Sequence, residues 1–417
     1  MRFCMVTTFY PPYHFGGDAT YVRALSRALV ARGHAVDVVH CEDAYRLAGK
    51  PESEPAASTE DGVVVHRLKS RWGLLSPLIT QQTGRPRLKA AALRAVLSRD
   101  FDVVNFHNIS LVGGPAVLQL SRAPVTLYTL HEHWLLCPTH IFWKNRAQAC
   151  DSKQCIRCSL RSGIPPQWWR YTGLIQRSIE NVDRFLAPSE FTAQRHREAG
   201  IAPVQVLPLF SFLDPKLDPV AAPDRPRFLF VGRVTASKGI QNLLARFARL
   251  PDYDLIVVGD GDLRTRLQQQ YAGHANIHFL GAIPQQELIA HYREATALVF
   301  PSLAPETFGL SIAEAFACGT PAIVRDAGGS RELIDITGGG MVYQTDEELL
   351  SALHRLAGDA ELRSKLAQSA RAGYERHYTQ KRHVEAYLSC IKTLLEGKRR
   401  AISSPTNSLP SLLKWPS

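Results

Sequence analysis

Along most of the chain, short runs of β-branched and other apolar residues alternate with longer stretches in which apolar positions recur every three or four residues. A short apolar run bounded by turn residues reads as a strand buried on both faces. The longer pattern reads as a helix with one apolar side, and their alternation predicts β–α–β units around parallel sheets. In the first half the expected strands are Arg2–Thr8, Ala35–His40, Val63–Leu68, Val103–Phe106, Val125–Leu130, Arg184–Ala187 and Val204–Leu207. Helices are expected over Ala19–Arg32, Leu88–Leu97, Pro115–Leu120, Trp168–Asn181 and Glu190–Ala199, and Gly49–Asp61 reads as a surface loop. The stretch Leu213–Arg227 is rich in Pro and Asp, cannot hold regular structure, and reads as a linker.

A second β–α series follows it. Its expected strands are Arg227–Val231, Asp254–Val258, Asn276–Leu280, Thr296–Phe300, Pro321–Arg325 and Gly340–Tyr343. Its expected helices are Gln241–Ala248, Leu263–Tyr271, Pro284–Ala295, Ser311–Ala317 and Ser330–Ile334. The fold class predicted is therefore α/β, with two doubly wound Rossmann-like domains, 1–212 and 213–378, facing each other across a cleft. A helix over Lys381–Leu395, ending at Gly397, closes the pattern, and residues 379–397 are expected to pack back toward the first domain. Beyond it, 398–417 is Ser- and Pro-rich and reads as a disordered tail, with Leu412, Leu413, Lys414 and Trp415 as a weak amphipathic membrane touch.

Composition agrees with two cores. The 417 residues are 45% hydrophobic and 21% charged, and no apolar run approaches the roughly 18 residues of a membrane-spanning helix. The opening MRFCMVTTFYPP reads as a strand and not a signal peptide, so a cytoplasmic protein is expected. The net charge of +11 is uneven: residues 1–212 hold 25 Lys and Arg against 16 Asp and Glu, 213–378 hold 17 against 20, and 379–417 hold 7 against 2. A basic first half suits an acidic substrate or an anionic membrane surface, which would place the protein peripherally at the inner membrane face. The chain has no nucleic-acid module or interleaved Arg/aromatic platform, so nucleic acid is not an expected partner.

The candidate chemistry sits where strands end, because ligands of open α/β sheets bind beyond the carboxyl ends of the strands. In PETFGLSIAEAFACGTPAIV, from Pro305 to Val324, Glu306 and Glu314 flank a Phe308-Gly309-Leu310 turn that opens a helix. Amides at a helix start favour phosphate, and carboxylates accept hydrogen bonds from hydroxyls; a sugar nucleotide wants both. The spacing alone is not distinctive, since Glu52 with Glu60 and Glu190 with Glu198 share it. Arg233 and Lys238 follow the strand Arg227–Val231, two cations placed to neutralise a diphosphate. Gly259 and Gly261 follow the next strand, Ile283 the one after, and Gly328-Gly329 a later one.

The ordered series Gly232-Arg233, Lys238-Gly239, Gly259-Asp260-Gly261, Gly281, Glu306-x-Phe308-Gly309, Glu314-Ala315, Gly319-x-Pro321 and Gly328-Gly329-x-x-Glu332 resembles the nucleotide-sugar half of glycosyltransferase family 4. The first half is matched more loosely, through its opening strand, the Gly16-Gly17 loop and the strand ending at His131. The resemblance implies a GT-B fold and a hexosyltransferase that moves a sugar from a nucleoside-diphosphate sugar to a hydroxyl of a glycan or lipid-linked acceptor. The anomeric configuration would be retained, the setting would be cell-surface polysaccharide or glycolipid synthesis, and no cofactor would be required. It also implies roles. Arg233 and Lys238 would hold the diphosphate, with amides of Phe308, Gly309 and Leu310 and, across the cleft, of Gly16 and Gly17. Glu306 would face the sugar hydroxyls, Glu314 the ribose, Ile283 the base, and His131 the reacting sugar. His131 and Glu306 are the catalytic candidates, with Glu132 and His133 near enough in sequence to compete with His131. A sugar-nucleotide or redox-sensing protein on the same scaffold, or an epimerase, are the alternative readings.

Four of the eight cysteines, Cys137, Cys150, Cys155 and Cys158, fall close together. In a reducing compartment this spacing suggests structural zinc stapling a loop over 137–166, with an iron–sulfur cluster, free thiols or a redox pair as alternatives. The run His131-Glu132-His133-Trp134-Leu135-Leu136-Cys137-Pro138 resembles a subset of family 4 that carries a cysteine-rich loop.

Overall fold

The computed structural model describes residues 1–14, 16–49, 59–216 and 225–403, without the side chains of 401–403. The centre of the expected linker, most of the Gly49–Asp61 loop, and Leu412 to Trp415 lie outside the described residues.

Two parallel sheets organise the chain. The first runs in the order Val204–Val206, Arg184–Ala187, Val125–Thr129, Val103–Phe106, Arg2–Val6, Ala35–Cys41, Val63–Leu68 and Thr59–Glu60, with only the last strand antiparallel to its neighbour. The second runs Ile277–Gly281, Asp254–Val258, Arg227–Val231, Ala297–Phe300, Ala322–Arg325 and Gly340–Tyr343, all parallel. Both are doubly wound, and the winding reverses between Arg2–Val6 and Val103–Phe106 in one and between Arg227–Val231 and Ala297–Phe300 in the other. The loops beyond these switch points are where such sheets take ligands. The central strands are apolar throughout because helices cover both faces; Phe228, Leu229, Leu255, Val257, Ala297 and Leu298 are all fully buried.

The helix Gln380–Ser403 lies against the first sheet. Val384, Tyr387 and Ile391 are buried on one face, and the Tyr387 hydroxyl accepts from Asn105 Nδ2 at 3.1 Å. The helix passes through Gly397, where an end was expected, and continues to Ser403, so residues 398–403 belong to it and not to a tail. A mid-helix glycine costs roughly 0.5–1 kcal/mol against alanine. Beyond it Lys398 is tied down, donating to Pro124 O at 2.7 Å and pairing with Asp183 at 2.5 Å.

Other departures are local. The helix expected over Trp168–Asn181 is a 3-10 turn, Trp168–Tyr171, and a separate helix, Leu174–Ile179, parted at Thr172 and Gly173. Pro115–Leu120 is a 3-10 turn. Helices Leu75–Thr83 and Cys155–Arg161 and the hairpin of Trp143–Lys144 with Gln148–Ala149 were not expected. The last two replace irregular loop within 137–166. Arg170 fastens this insert, donating to Trp134 O at 2.8 Å and Leu135 O at 3.2 Å while its guanidinium lies over the Trp134 and Trp169 rings.

Candidate active site

Lys238 and Glu306, given separate roles from sequence, form one ion pair at 2.6 Å between the two loops that flank the second switch point. Ser302 Oγ donates to the same Glu306 oxygen at 2.5 Å. Burial works to raise the Glu306 pKa, but Lys238, Ser302 and the nearby charge of Arg233 together outweigh it and hold the carboxyl below its ordinary range. Arg233 itself is exposed. Gly328 supports this arrangement from behind: its φ is +74°, and a Cβ there would lie 2.6 Å from both Glu306 N and Glu306 O. Gly329 N donates to Glu306 O at 2.7 Å.

The helix Leu310–Ala317 starts at Gly309 with no side-chain cap, and so does Gly17–Val30 at Gly16. The two starts meet: a Cβ on Gly17 would lie 2.6 Å from Leu310 Cδ1. The positive ends of two helices therefore meet four residues past Glu306, a setting suited to a diphosphate, with Ala19 N of the first already donating to Asp18 Oδ1 at 2.9 Å. Phe308 is buried in the core against Tyr378, so only its backbone is available there. Ile283 is half-buried just after the strand Ile277–Gly281.

Glu314 is buried on the inner face of its helix, with Tyr292 donating from its hydroxyl at 3.0 Å and Gln285 from Nε2 at 3.2 Å. Burial pushes its pKa up to about 7, and the two donors only partly oppose that.

On the opposite wall His131 follows the strand Val125–Thr129, and its carbonyl accepts from Thr307 Oγ1 at 2.9 Å, which ties it to the Glu306 loop. Its Nε2 is 3.0 Å from His107 Nδ1, and its ring packs edge-on to Tyr21. Burial, then the charge of His383, lowers its pKa to about 3. A neutral His131 can orient a hydroxyl but is a poor proton carrier near pH 7. His133 turns away into the core, stacked on Phe142 and His196, and Glu132 pairs with His140 at 2.8 Å. His131 is tied to the Glu306 loop through Thr307, and His133 meets the same loop at the Pro305 backbone.

Two participants, His107 and Asp18, are not marked by the sequence pattern, and a third, Glu332, is marked without its partners. His107 stands one residue past the strand Val103–Phe106, a strand-end position of the kind that drew attention to His131. Asp18 lies in the first turn of Gly17–Val30, accepts from Asn108 Nδ2 at 3.3 Å, and has its pKa raised to about 6 by burial and by Glu132. Glu332 accepts from Glu190 N at 2.8 Å and Phe191 N at 2.6 Å, bridging the two halves. Its place in the Gly328-Gly329-x-x-Glu332 series was visible, its partners across the cleft were not.

The cysteine loop mixes buried and exposed thiols. Cys137 and Cys158 are buried and Cys150 is exposed. Cys158 Sγ accepts from Asn145 N at 3.3 Å, and Cys137 Sγ lies 3.2 Å from Thr139 Oγ1. Burial, then the charges of Cys137, Cys155 and Cys158, raise the Cys150 pKa, so the four thiols are neighbours; among the described residues no three His, Cys, Asp or Glu side chains are grouped as a metal site. Nor is any helix among those residues long and apolar enough to cross a membrane.

Two family models match the chain in order, Glycosyltransferase Family 4 over residues 15–210 and Glycosyl transferases group 1 over 217–373. A GDP-mannose-dependent alpha-mannosyltransferase of Mycolicibacterium smegmatis is 30% identical over 83% of this chain and 85% of its own length. An uncharacterized glycosyltransferase of Methanocaldococcus jannaschii is 24% identical over 90% of this chain and 94% of its own. Among solved structures, sucrose-phosphate synthase from Thermosynechococcus elongatus superposes with a TM-score of 0.73 at 20% identity, covering 95% of this chain and 99% of that one. With two doubly wound halves, a family match in each and a relative of this identity over most of its length, the chain belongs to the family 4 glycosyltransferases, enzymes of the GT-B fold that transfer a hexosyl group from a nucleotide-sugar donor.

Proposed function

We propose that this enzyme transfers its sugar with retention of anomeric configuration, from a donor seated against Lys238 and Glu306, to a hydroxyl of a glycan or lipid-linked acceptor on the first domain. The observation that carries the reading is the Lys238–Glu306 pair beside two uncapped helix starts in contact at Gly17 and Leu310. In it, Arg233, Lys238 and the amides of Gly16, Gly17, Phe308, Gly309 and Leu310 hold the diphosphate and stabilise its charge as it leaves. Glu306, kept ionised by its neighbours, accepts from the sugar hydroxyls. Glu314 receives the ribose, the backbone near Ile283 meets the base, and His131 orients the sugar as a neutral hydrogen-bonding group. Attack comes from the face the diphosphate leaves, and no protein nucleophile is assigned. The diphosphate charge is met by protein cations and amides, and the reaction needs no zinc at the cysteine loop.

A thermal-shift panel of UDP-, GDP- and ADP-sugars identifies the donor, since a ligand that binds only the folded protein raises its apparent stability. With that donor, Glu306→Gln and Lys238→Met are each expected to lower turnover by roughly 10²–10³, the scale of losing one group that stabilises developing charge. Full turnover by Glu306→Gln would remove the basis of this site assignment.

A further inference from the structure

The helix Leu75–Thr83 is inside out. Its buried positions include Ser76 and Thr80, each about 1% exposed, while Leu75 is 53% and Leu78 38% exposed. Ser76 is held inward by Lys89 Nζ, which donates to its Oγ at 3.0 Å, so the polar side is fixed toward the protein. Just before the helix, Leu74 and Trp72 are also exposed, with the Arg71 guanidinium over the Trp72 ring.

The helix Cys155–Arg161 repeats the inversion. Ser159 is buried, whereas Ile156 and Leu160, one turn apart, are exposed, Leu160 to 62%. Arg157 and Arg161 are exposed beside them. Between these helices stands the turn Trp168–Tyr171, with Trp168 exposed to 60% and Tyr171 to 63%. The pieces are joined: Trp169 Nε1 donates to Gln81 O at 2.8 Å, Gln81 Nε2 to Pro165 O at 3.1 Å, and Ile164 N to Ser159 O at 2.9 Å. Apolar side chains so exposed on three connected elements are not scattered surface residues. They make one apolar flank of the first domain.

Charge selects what covers it. Residues 62–99 and 152–179, which carry this flank, contain no Asp or Glu, while Lys69, Arg71, Arg85, Arg87, Lys153 and Arg157 are among their basic residues. Aromatic and aliphatic side chains rimmed by Lys and Arg, with no acid, match the interface of an anionic bilayer, where rings and aliphatic tips enter the headgroup region and cations meet lipid phosphate. We propose that this flank docks the enzyme on an anionic membrane surface, with Leu75, Leu78, Leu160 and Trp168 inserting. The flank is continuous with the insert that follows His131, so docking holds the acceptor side of the cleft toward the bilayer. The inference deepens the acceptor reading above and rests on it only for the purpose of docking; vesicle binding requires no acceptor, so the two fail separately.

Co-sedimentation with phosphatidylcholine vesicles, with and without phosphatidylglycerol, tests it. The full chain is expected to bind the anionic vesicles and to be released by salt. Leu75→Ser with Leu78→Ser, and separately Arg157→Glu with Arg161→Glu, are each expected to weaken binding about tenfold or more. The donor-induced thermal shift serves as the control for folding and is expected to be unchanged. Equal binding by wild type and both variants would overturn the proposal, as would binding indifferent to phosphatidylglycerol. So would a solution dimer, seen by light scattering, that the leucine substitutions dissociate, because a second copy would then be the occupant.

Discussion

Glu314, the carboxylate proposed for the ribose, has a pKa near 7, because it is buried and has only Tyr292 and Gln285 to stabilise its charge. Ribose hydroxyls donate to a carboxylate and not to the proton of an acid, so binding favours the ionised form. Below pH 7 donor affinity is therefore expected to fall, approaching about tenfold per pH unit, and Glu314→Gln should flatten the profile while weakening binding at pH 8. Calorimetric titration of the donor from pH 5.5 to 8 checks it; a wild-type dissociation constant independent of pH would exclude this role for Glu314. Glu306 behaves oppositely, since Lys238 and Ser302 keep it charged throughout that range. Both carboxylates were visible in the sequence as residues flanking a helix start. Their different ionisation was not, because it depends on side chains brought from Ser302, Lys238, Tyr292 and Gln285. The pairing of His131 with His107 was hidden for the same reason: strand ends adjacent in the sheet lie 24 residues apart in the chain.

At the scale of elements, strands were more legible than helices, and Asp346–Gly358 and Ala360–His377 were not expected although their buried residues face inward. Strands such as Val103–Phe106, Arg227–Val231 and Asp254–Val258 were read with their observed bounds, since an apolar run closed by turn residues has one stable environment, the middle of a covered sheet. Leu75–Thr83 and Cys155–Arg161 were not read at all. Their exposed leucines and isoleucine point outward, the reverse of the inward apolar stripe of an ordinary surface helix. The last helix shows a different failure: Gly397 is a sound stop signal by composition, but Lys398 anchors on Pro124 and Asp183 carry the helix past it. Gly397→Ala is accordingly expected to stabilise the protein by about 0.5–1 kcal/mol, read as a raised denaturation midpoint, because its Cβ position meets nothing within 4 Å. No gain would mean that the helix past Gly397 does not persist in solution.

Across the whole molecule, the two halves share one apolar cluster, which holds Tyr21 and Phe210 of the first with Phe308 and Ile312 of the second, and a set of polar contacts is grouped around the candidate donor site. Ser189 Oγ donates to Thr307 O at 2.7 Å, Thr307 Oγ1 donates to His131 O, and Glu332 accepts from the amides of Glu190 and Phe191. The helix Glu190–Glu198 already has its own cap, since Ser189 Oγ accepts from Thr192 N at 3.1 Å. Glu332 is thus not needed to form that helix, and its hydrogen bonds act on how the halves close. Polar contacts of this kind break and re-form readily at the mouth of the cleft, as donor entry and nucleotide release require. Removing two partly exposed, charge-assisted bonds is expected to shift the open–closed balance by about tenfold, or roughly 1–2 kcal/mol. Glu332→Ala should therefore enlarge the radius of gyration measured by X-ray scattering without donor, leave the thermal midpoint nearly unchanged, and lower kcat more than it raises the donor KM. A large loss of thermal stability would instead assign Glu332 to the fold. Unchanged scattering and kcat would place closure in the contact of Gly17 with Leu310, where the two helix starts meet whether or not Glu332 reaches across.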